Sequence, residues 1–213
     1  MSVLPEIAQA VIAGDEQQAP KLVEQALSDG VAAKEVLQDG LLAGMSEVGR
    51  RFRDGEFFIP EVLIAAEAMK AGMEVLRPRL VAQGVKAEAT AVIGTVRGDL
   101  HDIGKNLVAT MLEGAGFEVV DLGVDVSAEK FIEACRQRPV QLVAMSALLT
   151  TTMPQMETTV TELRERLNPP PAIIIGGAPV TQAYTDQIGA DGYGRDAATG
   201  AEVAKGLCFK KAS

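Results

Sequence analysis

The single histidine of the 213-residue chain, His101, lies in the run Arg97-Gly98-Asp99-Leu100-His101-Asp102-Ile103-Gly104-Lys105-Asn106. Asp99 precedes it by two residues. A carboxylate that accepts one ring N–H fixes the imidazole tautomer and makes the other nitrogen a better metal ligand. With one histidine and two widely spaced cysteines, Cys135 and Cys208, the chain lacks the ligands for a zinc cluster. A Ser-His-Asp hydrolase would have to use this one imidazole. Gly98 and Gly104 resemble the glycines of a phosphate loop, but five residues separate them where such a loop has four. Asn106 also stands where Ser or Thr would hold magnesium, and Asp99 and Asp102 would repel phosphate. No G-x-G-x-x-G occurs, so a dinucleotide site has no support. Two more runs stand out as poor core: Ser146-Ala147-Leu148-Leu149-Thr150-Thr151-Thr152 and Gly176-Gly177-Ala178-Pro179.

The elements that must position these runs fall into two regions. Residues 1–83 carry apolar residues at helical spacing, broken at Gly14-Asp15, Ser28-Asp29-Gly30 and Arg53-Asp54-Gly55. A last helix follows Pro60, with Val62, Leu63, Ala66, Met69, Met73 and Leu76 on one face. Four helices with short links predict an N-terminal four-helix bundle. A polar stretch at 84–88 reads as a linker. From Ala89 the period changes. Strands are expected at Ala89–Val96, Phe117–Leu122, Val140–Ser146 and Ala172–Gly176, with a weak one at Asp191–Tyr193. Helical patterns lie between them at 104–115, 127–138, 153–167 and 180–189, and a last one at 196–208. That alternation predicts, over 89–213, a flavodoxin/Rossmann-like, doubly wound, five-stranded parallel sheet. Ligands of such sheets bind beyond the carboxyl ends of the strands, where all three unusual runs fall.

Composition removes several classes. Apolar residues make up 47% and charged residues 23%, an ordinary globular balance that needs no disulfide. The net charge of −9 argues against a nucleic-acid surface. No run approaches the ~18 apolar residues of a membrane span. The start, MSVLPEIAQA, lacks the basic end and long apolar stretch of a signal peptide, so a cytoplasmic location is expected.

Taken alone, a loop histidine reads as an ordinary surface residue. The constellation changes that. Asp99-x-His101-x-x-Gly104 is followed after 41 residues by Ser146-x-Leu148 and after 27 more by Gly176-Gly177. This resembles the cobalamin-binding signature shared by methionine synthase, methyltransferase corrinoid proteins and some mutases. Gly44-Met45, Phe52 and Phe57-Phe58-Ile59-Pro60-Glu61-Val62 likewise look like the helical cap module of methionine synthase. The resemblance spans nearly the whole chain and has the size of a stand-alone corrinoid protein.

The resemblance implies a cofactor, cobalamin or a related corrinoid, cycling between a Co(I) and a methylcobalamin form. It also implies residue roles. His101 would be the lower axial cobalt ligand, bound base-off/His-on, with Asp99 and Thr152 completing a ligand relay. Thr152 stands where methionine synthase has Ser. The run Gly98, Asp99, Leu100, His101, Asp102, Ile103 and Gly104 would lie against the cofactor. Ser146 and Thr150 would meet its nucleotide tail, Leu148 would also contact the cofactor, Gly176 and Gly177 would let the backbone approach that tail, and Ala197 would lie near its end. In the bundle, Phe52, Ile59 and Val62 would form an apolar cap over the upper face, Met45 would contact the cofactor, and Gln38, also placed at the cofactor, occupies a position that is acidic in methionine synthase. Bundle core is the competing reading for Phe52, Ile59 and Val62.

The function implied is a methyl carrier with no substrate pocket of its own. Its expected partners are a substrate-specific methyltransferase, a second methyltransferase with a tetrahydrofolate or thiol acceptor, and a reductive activator. Two alternatives keep the cofactor. A cobalamin sensor or regulator would carry a DNA-binding domain and Trp and His in its cap, whereas this chain has no Trp and one His. A mutase subunit would lack the cap.

Overall fold

The computed structural model describes residues 3–85, 87 and 89–209. By packing, the described residues of 1–87 together with Gly114–Gly116 form one compact unit. Those of 88–113 and 117–213 form the other. The expected linker at 84–88 includes Lys86 and Glu88, which lie outside the described residues.

The helical unit begins with α1 (Leu4–Ile12) and α2 (Gln18–Ser28). A continuous helical run follows, made of α3 (Ala33–Glu35), a π-helical stretch Val36–Leu42 and α4 (Ala43–Arg53). It ends with α5 (Ile59–Ala82). Turn residues separate these bodies as expected, and Gly14, Gly30 and Gly55 all have positive φ. Pro60 stands in the first turn of α5, where its missing N–H costs nothing. The Glu61 side chain accepts from the Phe58 N–H at 2.9 Å and closes that end. Ile7, Val11, Val23, Val36, Leu41, Val48, Val62 and Leu76 are fully buried and make the core. Gly44 lies so close to α1 that a Cβ there would sit 2.8 Å from the Ala8 carbonyl oxygen. One expectation changes: Leu63 is exposed, and the buried face of α5 runs through Val62, Ala65, Ala68, Met69, Gly72, Leu76 and Leu80.

The second unit alternates strand and helix: β1 (Ala89–Thr95), α6 (Ile103–Gly114), β2 (Phe117–Asp121), α7 (Ala128–Gln137), β3 (Leu142–Ser146), α8 (Pro154–Arg166), β4 (Ala172–Gly176), α9 (Gln182–Ile188), β5 (Gly192–Gly194) and α10 (Ala197–Cys208). Every strand pair is parallel, in the order β2-β1-β3-β4-β5. This is the doubly wound sheet predicted, with its switch point between β1 and β3. Side-chain caps set three helix starts one or two residues later than the periodicity suggests. Ser127, Thr181 and Asp196 are N-caps that accept from the backbone of Lys130, Tyr184 and Thr199. The strands are apolar on both faces because helices cover both. Val92, Val143 and Ile173 pack into the core that holds Phe131, Met156 and Leu163. Residues one step along, Ile93, Ala144 and Ile174, line a pocket instead.

Register places the site. Thr95 pairs with Ser146, Ser146 with Gly176, and Gly176 with Gly194. The carboxyl ends of four strands are thus level, in one row, beneath the loops.

Candidate functional site

Thr95, at the end of β1, is buried, and its hydroxyl donates to the His101 carbonyl at 2.8 Å. Gly98 turns the chain with φ +82°, a conformation L side chains avoid. Asp99 is thereby directed inward and is 0% exposed. Its carboxylate receives five donors. Oδ1 accepts from His101 Nδ1 at 2.7 Å and from the His101 N–H at 3.2 Å. Oδ2 accepts from Leu148 N at 2.8 Å, Leu149 N at 3.2 Å and Thr152 Oγ1 at 2.7 Å. Burial alone would raise the pKa of Asp99. The donors from His101, Leu148 and Thr152 outweigh it and hold the carboxyl well below the usual carboxylate range.

An ionised carboxylate only accepts, so the proton of the His101–Asp99 bond sits on Nδ1. In the neutral ring Nε2 then carries the lone pair and can form a ligand bond. The His101 side chain is 51% exposed. Thr152 is buried, and its single proton has two acceptors in reach: Asp99 Oδ2 and the Leu149 carbonyl at 2.9 Å. Around this centre stand exposed apolar side chains, Leu100, Ile103, Leu148 and Leu149. Asp102, also exposed, accepts from the Asn106 side chain at 3.4 Å and from its backbone N–H at 2.7 Å, which starts α6.

Beside the histidine loop a pocket of about 170 Å³ lies between one sheet face and helices α6 and α10. Gly104, Ser146, Gly176, Gly177 and Ala197, all expected on the basis of sequence, line it. Thr150 does not; it is exposed on the β3–α8 loop. Among the lining residues that carried no expectation are Lys105, Gly194 and Gly200. Lys105 reads in sequence as a solvated helix cation, yet it is 2% exposed and its ammonium donates to Asn106 Oδ1 at 2.6 Å and to Asp121. Gly194 and Gly200 pack against each other, and a Cβ on Gly194 would lie 3.0 Å from the Gly200 Cα. That close helix–strand contact is a reason for both that sequence alone does not show.

The glycines of the pocket have different causes. A Cβ on Gly177 would sit 1.9 Å from the Ala147 carbonyl oxygen, and φ there is +129°. A Cβ on Gly176 would sit 2.8 Å from the Gly194 carbonyl oxygen. Both are therefore required by the fold itself, whereas the sequence suggested room for a ligand. Gly104 differs. A Cβ there meets nothing within 4 Å, so the missing side chain leaves open space in the pocket wall.

In the helical unit, Ile59 is exposed, along with Phe58, Leu63 and Ile64. Phe52 is partly buried and Gln38 is exposed. Met45 and Val62 are buried at 2% and 0%, so as the chain stands they serve packing, the competing reading for Val62.

The donor set can be tested against a metal. Among the described residues no group of three or more His, Cys, Asp or Glu is placed to hold a bare ion. A metal already held in a macrocycle would need one further donor, which Nε2 of His101 can offer, and room, where Gly104 leaves open space. Cys135 is no rival, since burial pushes its thiol up to about 11. Among the described residues no helix is long and apolar enough to cross a membrane.

Comparison with known proteins agrees over both units. Two families, each described as a B12 binding domain, match residues 89–202 and residues 3–77. The trimethylamine corrinoid protein 1 of Methanosarcina acetivorans is 46% identical over 186 residues, 86% of this chain and 86% of that protein. A corrinoid protein of Desulfitobacterium hafniense is 37% identical over 99% of both chains. The crystal structure of the methanol:cobalamin methyltransferase complex from Methanosarcina barkeri superposes with a TM-score of 0.84 at 30% identity, over 98% of this chain and 80% of that one. With a one-histidine donor, an open pocket at the switch point of the sheet and matches that cover the chain from end to end, the protein belongs to the B12-binding corrinoid proteins, and its cofactor is a corrinoid.

Proposed function

We propose that this protein is a methyl carrier that binds its corrinoid base-off, with His101 as the lower axial ligand, and passes a methyl group between two partner enzymes. When bound, the corrinoid supplies a cobalt centre that accepts a methyl group and later surrenders it. The chain's own residues do the rest. Asp99 holds the Nδ1 proton and so presents the Nε2 lone pair. Thr152 can turn its proton between Asp99 and the Leu149 carbonyl, which gives the buried carboxylate a variable donor. Leu100, Ile103, Leu148 and Leu149 offer an apolar surface for the macrocycle. The pocket lined by Gly104, Ser146 and Ala197 takes the displaced nucleotide tail.

The observation that carries this reading is the 2.7 Å His101–Asp99 pair beside a pocket whose wall is open at Gly104. The first partner is a substrate-specific methyltransferase. The 46% identity to a trimethylamine corrinoid protein favours a methylated amine as donor over the methanol of the structural neighbour. The second partner moves the methyl to a tetrahydrofolate or thiol acceptor, and a reductive activator rescues oxidised cobalt.

The test is reconstitution with hydroxocobalamin. Wild type should take up one equivalent and show a histidine-ligated spectrum. His101→Ala should retain the cofactor, because the tail pocket persists, and should lose that spectrum. Absence of any corrinoid uptake by wild type, or an unchanged spectrum in the variant, refutes the assignment. Trimethylamine, dimethylamine and methanol, each with its methyltransferase, then identify the donor.

A further inference from the structure

Among the described residues, Asp125 is the non-glycine residue with positive φ, at +53°. L residues avoid this left-handed region, and Asp is among the few that tolerate it singly. It lies in the β2–α7 connection, 26 residues beyond Asp99, outside every motif considered above. An observed outlier asks what the conformation achieves.

What it achieves is a clamp. The Asp125 N–H donates to the Asp99 carbonyl at 3.0 Å, and its Oδ1 accepts from the Gly98 N–H at 2.7 Å. One residue thus holds the Gly98–Asp99 dipeptide at both ends, across the turn where φ of Gly98 is +82°. The neighbouring backbone is laced to the same strand. Thr95 N donates to Gly123 O at 3.0 Å, Val126 N donates to Thr95 O at 2.9 Å, and Val126 bridges Val96. Thr95 in turn holds the His101 carbonyl. The β2–α7 connection therefore acts as the base plate of the histidine loop.

We infer that Asp125 is a positioning residue for His101. It acts through Gly98 and Asp99, touches neither the imidazole nor the cofactor, and fixes the direction in which the Asp99 carboxylate meets Nδ1. The inference rests on the proposed ligation by His101 only in its second readout. Because Asp125 is exposed, replacing it removes no core packing.

The test compares Asp125→Gly and Asp125→Asn in the full chain. Glycine keeps the backbone freedom and deletes the acceptor; asparagine keeps both an acceptor oxygen and tolerance of the left-handed region. The first readout is the ¹⁵N spectrum of the imidazole, deprotonated and before cofactor is added. The single histidine makes it free of overlap. Wild type should show an excess of the Nδ1–H tautomer. Asp125→Gly should cut that excess about fivefold, the effect of one net hydrogen bond, and Asp125→Asn should restore it. The second readout is the fraction of histidine-ligated cofactor after loading with hydroxocobalamin, which should follow the same order. An unchanged tautomer ratio in Asp125→Gly overturns the inference, even if the variant melts earlier. Equal loss in Asp125→Asn also overturns it. If the tautomer shifts as expected but wild-type cobalamin is not histidine-ligated, the clamp stands and the ligation reading fails.

Discussion

Gly104 and Gly177 line the same pocket, and the same substitution should do opposite things at the two positions. At Gly177 an alanine Cβ would lie 1.9 Å from the Ala147 carbonyl oxygen. An ordinary C···O contact is about 3.3 Å, so the β3 and β4 loops must separate. The residue also sits at φ +129°, where non-glycine backbone is strained. Overpacking and strain together cost roughly 2–6 kcal/mol. At Gly104 the same methyl meets nothing within 4 Å, and the residue is in the first turn of α6. Replacing helical glycine with alanine stabilises by up to ~1 kcal/mol, a rise of about 2–4 °C in Tm for a chain of this size. The methyl then occupies space meant for the cofactor. A misfit of about 1–3 kcal/mol lowers cobalamin affinity about five- to 150-fold. Urea unfolding of both cofactor-free variants, then titration with hydroxocobalamin, gives both quantities. Wild-type affinity in Gly104→Ala would mean that the space is not used by the cofactor. Wild-type stability in Gly177→Ala would mean that the close approach to Ala147 does not constrain the chain.

Two other outcomes follow from the Asp99 network. Thr152→Val should lower stability by about 1–3 kcal/mol, because it removes a donor from a buried carboxylate, and Thr152→Ser should recover most of the loss; unfolding curves of the three proteins decide it. Asp99 ionises in the folded chain well below its unfolded value. Its contribution is therefore fully present above about pH 4 and lost as pH falls toward the folded value. The stability gap between wild type and Asp99→Asn should be flat from neutral pH down to about 5 and shrink below about 4. A gap that narrows on the alkaline side would contradict the assignment.

Much of the architecture is legible in the residues. The change from helical spacing to short β-rich runs at Ala89 marks the sheet, whereas the helix starts at Ser127, Thr181 and Asp196 are set by side-chain caps that apolar periodicity does not register. The π-helical stretch at Val36–Leu42 is not legible, because apolar spacing does not distinguish an i→i+5 turn from its neighbours. Leu63 shows a related limit: it fits the helical stripe yet stands outside the buried face. In the site, the His101–Asp99 pair is readable from its two-residue spacing, whereas Thr152 joins it only through the resemblance to methionine synthase. The glycines were readable as special but not as to cause. A sequence reports that a side chain is absent, and only coordinates show whether backbone or open space lies in its place. Lys105 was missed because a lysine on a helix normally reaches water, and this one is folded under Asn106 and Asp121.

The apolar rim of Leu100, Ile103, Leu148 and Leu149 has a consequence for how the protein is made. Such a patch suits a ligand and is a liability without one. On the proposed reading, in which the corrinoid covers this rim, newly synthesised chain displays it to water and to other copies until cofactor arrives. Ligand supply thereby governs colloidal behaviour as well as activity, since whatever binds the native state draws the population toward it. A cell short of the vitamin would hold less of this protein in usable form, whatever the strength of its promoter.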